Sequence, residues 1–495
     1  MRGSRTLAAL GVLALLTACT GSPPERSSTS AADPAQARTF TLDGKAMRPC
    51  TSGGASAVCG TLEVPEDRAD PAGRVIELEV VVIPASGPTP PADPVFFLTG
   101  GPGGAATEGW ASAPSVFPAV HEDRDIVLVD QRGTGGSNEL VLPSPPDLAD
   151  LPPSEMRERL KRWAVGAIED LPGDVRFYTS AAAADDLDDV RDALGYDIID
   201  LYGSSYGATL AQYYLRQHED RVRAVVLDGG TLVDVPILEV MAARSQEALD
   251  RVFARCHADA ECHAAYPDPE EDLRTALRRL LRDPVEMEAV DYRSGERVVL
   301  TDGSLAGQVH ELLTTGGSGE IPRLVHLTAE GEFEPLTELV LAALREPDPT
   351  RLGVFWSTEC AEAWAAHDAE RMVEAGDGSY YLPAMLDAAR NLDLGCSLMP
   401  PVPVPPDDGR PVRSDVPVLL LNGTLDPQDP PANVADATVE LPHSLTITPP
   451  QAHTFGHVGC LPDVVAAFLD AATVEGLDTA CIDELTPPPF TTSDG

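Results

Sequence analysis

Three stretches far apart in the chain carry residue types that together can perform acyl transfer. The first is "GSSYG", Gly203 to Gly207, a G-x-S-x-G pattern in which small flanking residues let a strand turn sharply into a helix and expose Ser205 as a nucleophile. The second is "NGTLDPQDPP", which sets Asp426 in a loop just after an apolar run; the third is "PPQAHTFGHVGC", which sets His453 and His457 in a similar place. A serine nucleophile needs an imidazole to take its proton, a carboxylate to orient that imidazole, and N–H donors for the oxyanion. Upstream, "TGGPGGA" offers glycines that let backbone amides approach a substrate carbonyl. Each stretch alone has a plainer reading: Ser204 or Ser205 as a helix cap, Asp426 as an Asx-turn residue, His453 as a surface histidine, "GGPGG" as a plain loop. Their order, each just beyond a strand, points to one site.

The elements that would hold these residues follow from hydrophobic pattern. Apolar runs without polar alternation fall at residues 75–83, 94–98, 126–129, 198–202, 222–227, 416–421 and 444–448, and fit strands buried on both faces of a parallel sheet. Helical patterns separate them; in "TSAAAADDLDDVRDALG", Leu187, Val190 and Leu194 share a face behind a Thr179 or Ser180 cap. The expectation is an α/β protein with a mostly parallel sheet and helices on both faces. From about 235 to 410 the alternation gives way to helical patterns, a cap expected over the strand ends where such sheets place ligands. The chain therefore divides into a leader (1–19), a flexible tether (20–38), a core in two parts (39–234 and 411–483) around the cap (235–410), and a loose tail (484–495). "PPVPVPPDDGRP" reads as the linker returning from the cap.

The leader has a basic start at Arg2 and Arg5, an apolar run to Leu16 and small residues before Cys19. The run is shorter than the roughly 20 residues of a membrane span, so it reads as an export signal. "LTAC" resembles a bacterial lipobox, which implies lipidation of Cys19 and attachment at the outer face of the cell membrane; the alternative is a secreted protein cut near Ala18. The eight remaining cysteines suit disulfides in an oxidising compartment, and the shortest closures pair 50 with 59, 256 with 262, 360 with 396, and 460 with 481. Neither a C-x-x-C pair nor a zinc-spaced histidine cluster occurs, so no metal or other cofactor is expected. A formal charge of −44 excludes nucleic acid as a partner, because like charges repel. Only Lys45 and Lys161 are lysines, a bias matching a high-GC coding sequence.

"GGPGG", "DQRGTGGS", "GSSYGA", "VPVLLLNGTLDPQDPP" and the histidine before a cysteine resemble the bacterial prolyl and tripeptidyl aminopeptidases of the α/β-hydrolase fold, related to proline iminopeptidase. The resemblance spans about residues 50–481 and includes "CHADAECHAAYP" in the cap. It implies a triad of Ser205, Asp426 and His453 in the order Ser, Asp, His, with His453 chosen over His457 by its place before "GC". It also implies an oxyanion hole from the amides of Gly101 and Tyr206, structural support from Asp130 to Ser137, and peptide substrates with free N-termini. Glu359 and Glu362 in "STECAEAW" are candidates to meet the substrate's α-ammonium; a solvated helix face is their other reading. Two positions depart from the family: Thr99 stands where histidine is common before Gly-Gly-Pro-Gly, and Asp429 replaces a threonine in the acid loop. An esterase or lipase on the same fold, and a peptide-binding envelope lipoprotein without activity, are the alternative functions.

Overall fold

The computed structural model describes residues 38–87, 93–112, 117–143, 153–290, 297–345 and 352–492. The leader, Cys19 and the tether up to residue 37 lie outside the described residues. Nine strands form the main sheet: β1 (Arg48–Ser52), β2 (Ala55–Pro65), β3 (Val75–Ile83), β4 (Val95–Leu98), β5 (Ile126–Val129), β6 (Ile199–Ser204), β7 (Val222–Asp228), β8 (Val418–Leu421) and β9 (Ser444–Ile447). Their spatial order is β9-β8-β7-β6-β4-β5-β3-β2-β1. The six from β9 to β5 are parallel, while β3, β2 and β1 add on antiparallel.

Alternation of side chains across a strand explains the unbroken apolar runs. Phe96, Leu98, Val127, Val129, Leu201, Val225 and Leu227 enter one core, and Val95, Phe97, Ile126, Leu128, Tyr202 and Val226 the other. With a core on each face, no position in the run tolerates water. The 75–83 run is the exception to the parallel expectation, since β3 pairs antiparallel with β5. Its first residues alternate between exposed and buried. Strand β1, at the sheet edge, and β2, between β1 and β3, in a sequence too polar to announce buried strands, extend the sheet beyond the sequence reading.

Helix α1 (Ser180–Leu194) begins where the Thr179 hydroxyl accepts the Ala182 N–H at 3.3 Å, and ends at Gly195 with φ 80°. Helix α2 (Tyr206–Gln217) follows β6 directly. The segment between β7 and β8 forms the cap, including α3 (Ile237–Ala258), α4 (Asp302–Thr314), α5 (Leu352–Ala361) and α6 (Leu382–Cys396). It also holds a small hairpin, Val285–Val290 with Arg297–Leu300, which a purely helical reading of the cap does not include. No helix among the described residues is long and apolar enough to cross a membrane. Disulfides join Cys50 to Cys59, Cys256 to Cys262, Cys360 to Cys396 and Cys460 to Cys481.

The tail is not loose up to Thr491. Phe490 lies under the Arg255 guanidinium at 4.1 Å, the Thr491 N–H donates to the Gly319 carbonyl at 3.2 Å, and the Tyr266 hydroxyl donates to the Thr491 carbonyl at 3.0 Å. A polar, Pro-rich sequence gives no sign of such docking, because the partners of Phe490 and Thr491 lie in the cap.

Beside the site, Arg132 is fully buried and its guanidinium forms two 2.6 Å bonds to Asp186 while donating to the carbonyls of Glu66 and Phe177. Removing one partner from such a pair leaves a buried charge uncompensated. Asp186→Ala should lower stability by about 3–5 kcal/mol, read as a lower urea midpoint at unchanged slope.

Candidate active site

Strand β6 turns into α2 at Ser205, whose backbone sits at φ 57° and ψ −124°, a conformation a non-glycine residue holds only when its surroundings enforce it. Two glycines make the turn possible. A Cβ on Gly203 would come within 2.3 Å of the Gly207 carbonyl oxygen, and one on Gly207 within 2.1 Å of the Leu98 carbonyl oxygen. The Ser205 N–H donates to the Asp228 carbonyl at 2.9 Å, closing the turn against the end of β7. Its side chain makes no helix-capping bond; instead Oγ lies 2.9 Å from His453 Nε2. His453 Nδ1 lies 2.8 Å from Asp426 Oδ2. Ser205 thus occupies the N-cap position without its side chain capping the helix, and the three residues form one hydrogen-bonded line.

Each partner is held from behind. Asp426 is fully buried, and its Oδ1 accepts the N–H groups of Gln428 at 2.9 Å and Asp429 at 3.0 Å. Burial opposes its charge, but His453 and these amides hold its carboxyl below the usual range. The neighbouring Leu425 is buried in the cap's apolar cluster, so the cap fixes the acid loop. The histidine loop is tied by Asp228, which accepts the N–H groups of Phe455 and Gly456, both at 3.0 Å, and the Tyr202 hydroxyl at 2.6 Å. From the cap side, the Thr314 carbonyl at the end of α4 accepts the His453 N–H at 3.3 Å. Burial alone would lower His453, yet Asp426 and then Asp429 outweigh it and push the imidazole up to about 9.

The Gly-rich loop after β4 abuts the serine: a Cβ on Gly100 would meet the Ser205 Cβ at 3.0 Å. The N–H groups of Gly101 and Tyr206 take no part in backbone hydrogen bonding among the described residues, which leaves both available as donors. Asp130 to Ser137 braces this loop and the elbow. Asp130 accepts the Thr107 and Gly136 N–H groups, and the Gln131 amide donates to the Tyr206 hydroxyl at 3.1 Å.

Glu359 and Glu362 do not form a solvated face. Both are partly buried; Glu362 accepts the Ser180 N–H at 2.8 Å and its hydroxyl at 2.7 Å, and the Ser180 oxygen is 2.7 Å from the Tyr206 hydroxyl. Two hydrogen bonds thus connect Glu362 to the residue after Ser205. Burial pushes Glu359 up to about 7 and, against the Ser180 bonds, Glu362 up to about 8. No cation pairs with either among the described residues. His457 is exposed and outside the line.

Asp426, Asp429 and His453 hold their ligand-type atoms within 4.8 Å of one another, the only such set among the described residues. A cation there would compete for the Nδ1 and Oδ2 atoms that aim the imidazole at Ser205, so the arrangement suits proton transfer. Sequence reasoning missed Asp228 and His310. Asp228 had a faint signal, a carboxylate ending a buried apolar strand before Gly-Gly. His310 is buried on α4, stacked 4.1 Å from Tyr381 and 3.1 Å from the Ser245 hydroxyl, and burial pushes it down to about 4.

The geometry distinguishes the two histidines. His453→Ala should cut labelling of Ser205 by a fluorophosphonate by several orders of magnitude, whereas His457→Ala should leave it near wild type, as peptide mapping after timed labelling would read.

An α/β hydrolase fold family model matches residues 93–266, and a TAP-like protein model matches residues 383–481. Serine protease Hip1 of Mycobacterium tuberculosis and Mycobacterium bovis is 30% identical over 226 residues, 42% of either chain. Tripeptidyl aminopeptidase of Streptomyces coelicolor is 31% identical over 185 residues, 34% of either chain. Proline iminopeptidase of Neisseria gonorrhoeae is 30% identical over 159 residues, 32% of this chain and 38% of the relative. The matched segments span about two fifths or less of each relative's length. With the strand order, the elbow and both matches in agreement, the chain has the α/β-hydrolase fold, and its residues 383–481 are similar to the TAP-like model.

Proposed function

We propose that the chain is an exported serine hydrolase, an aminopeptidase that releases short peptides, tripeptides, from free N-termini. The observation that carries the reading is the unbroken line from Asp426 through His453 to Ser205, at 2.8 and 2.9 Å. In this reading Ser205 Oγ attacks the scissile carbonyl carbon while its proton passes to His453 Nε2, and Asp426 holds Nδ1–H so that Nε2 is the basic nitrogen. The Gly101 and Tyr206 amides receive the oxyanion. The imidazolium then protonates the leaving amine; water next gives a proton to His453 and attacks the acyl carbonyl, and Ser205 Oγ leaves with that proton, freeing the peptide as its carboxylic acid.

The preference for a free N-terminus rests on Glu359 and Glu362. Partly buried carboxylates with no cation beside them among the described residues are held partly protonated, and a substrate α-ammonium would supply the missing charge. A charge-assisted contact of this kind contributes about 1.5–3 kcal/mol, or roughly one to two powers of ten in kcat/KM. A free tripeptide anilide should therefore be cleaved about ten- to a hundredfold faster than its N-acetyl form, with Glu362→Gln narrowing the gap. Equal kcat/KM on both substrates defeats the exopeptidase reading, and faster turnover of acyl esters than of any peptide favours an esterase.

We place the protein at the outer face of a bacterial membrane, held by lipid on Cys19; the support is the leader's basic start, short apolar run and "LTAC". Cys19→Ala should move the protein from the membrane fraction to the medium, and an unchanged distribution would remove the anchor from the proposal.

A further inference from the structure

Asp429 follows Asp426 on the same loop, and its carboxylate faces the same imidazole nitrogen. Asp426 Oδ2 lies 2.8 Å from His453 Nδ1, and Asp429 Oδ2 lies 3.5 Å from it. The other Asp429 oxygen accepts the Thr231 hydroxyl, whose oxygen in turn accepts the Asn433 amide at 2.9 Å. On the main chain, the Asp429 N–H donates to Asp426 and its carbonyl accepts the Asn422 amide at 2.8 Å. The side chain is thus buried, fixed from several sides, and has the imidazole as its only ion-pair partner among the described residues. A turn residue turned towards solvent would need none of this.

We propose that Asp429 is a second positioning carboxylate for His453, able to take the Nδ1 proton contact when Asp426 cannot. The proposal rests on the serine-hydrolase reading above. Two carboxylates facing one N–H change how the imidazole titrates. Burial, with Asp426 beside it, pushes Asp429 up to about 7, and Asp429 adds to Asp426 in raising His453. The other titratable groups near the imidazole are Asp228, from the end of β7, and His310, from α4, which burial keeps neutral. No arginine or lysine lies within ion-pair distance of Asp426, Asp429 or His453 among the described residues.

The sign follows. Only the neutral imidazole takes a proton from Ser205, and the Asp429 charge favours imidazolium. Removing that charge lowers the imidazole pKa, so the acid limb of reactivity moves to lower pH. The spare contact has a separate consequence. In Asp426→Asn the amide oxygen stays with the Gln428 and Asp429 N–H groups and the NH2 faces Nδ1, and where an orienting carboxylate stands alone the wrong tautomer costs about 10⁴ in rate; with Asp429 in reach the tautomer survives.

The test is the rate of fluorophosphonate labelling at Ser205 across pH in wild type, Asp429→Asn, Asp429→Thr, Asp426→Asn and the Asp426→Asn/Asp429→Asn double variant, with thermal melts to confirm folding. The midpoint of the acid limb should fall by about one unit or more in both Asp429 variants. Asp426→Asn should lose on the order of 10², and the double variant about 10⁴. A merely structural Asp429 would lower the melting temperature or the amplitude without moving the limb. An unmoved limb in a folded Asp429 variant, or Asp426→Asn as slow as the double variant, overturns the proposal while leaving the hydrolase reading intact. A wild type that resists the probe overturns both.

Discussion

The fold turns on a contact that no side chain could share. At the β6–α2 turn the backbones of Gly203 and Gly207 nearly touch, and Gly207 presses on the carbonyl of Leu98 in the neighbouring strand. That approach forces Ser205 into positive φ, at a cost of roughly 1–3 kcal/mol. The two apolar cores and the amide bond to the Asp228 carbonyl offset it. Asp228 then reaches from the same strand end to the amides that hold the histidine loop. Ser205 and the His453 imidazole are therefore located by one residue that bonds to neither Oγ nor a ring nitrogen.

The cap belongs to this arrangement and is more than a cover. Its helix α4 accepts the His453 amide, its apolar cluster takes in Leu425 beside Asp426, and α5, which carries Glu359, leads into Glu362, linked through Ser180 to Tyr206. Cys360–Cys396 fastens that last piece to α6. A movement of the cap would alter the base, the acid and the carboxylates together.

Local pattern made the site residues legible, and long-range packing hid their supports. Ser205, Asp426 and His453 could be read because each follows an apolar run that only a buried strand explains. Thr179 could be read as a cap because capping chemistry is local. Strand β2, "ASAVCGTLEVP", mixes small and polar residues, since one of its faces meets water in part; its pairing with β3 is decided by β3. Glu362 looks like any acidic helix residue until Ser180, 182 positions earlier, is brought against it. Asp228, His310 and the tail are of the same kind: their partners are far off in sequence, and no periodicity records them.

The order of the parts along the chain has a consequence in time. Ser205 is made before the cap, whereas Asp426 and His453 come after it, and Phe490 and Thr491 fasten onto the cap last. A growing or threading polypeptide thus displays its serine for more than two hundred residues without a base to activate it. In the hydrolase reading proposed above, the half-made molecule is harmless to the machinery that makes it, and a chain broken anywhere before His453 stays so.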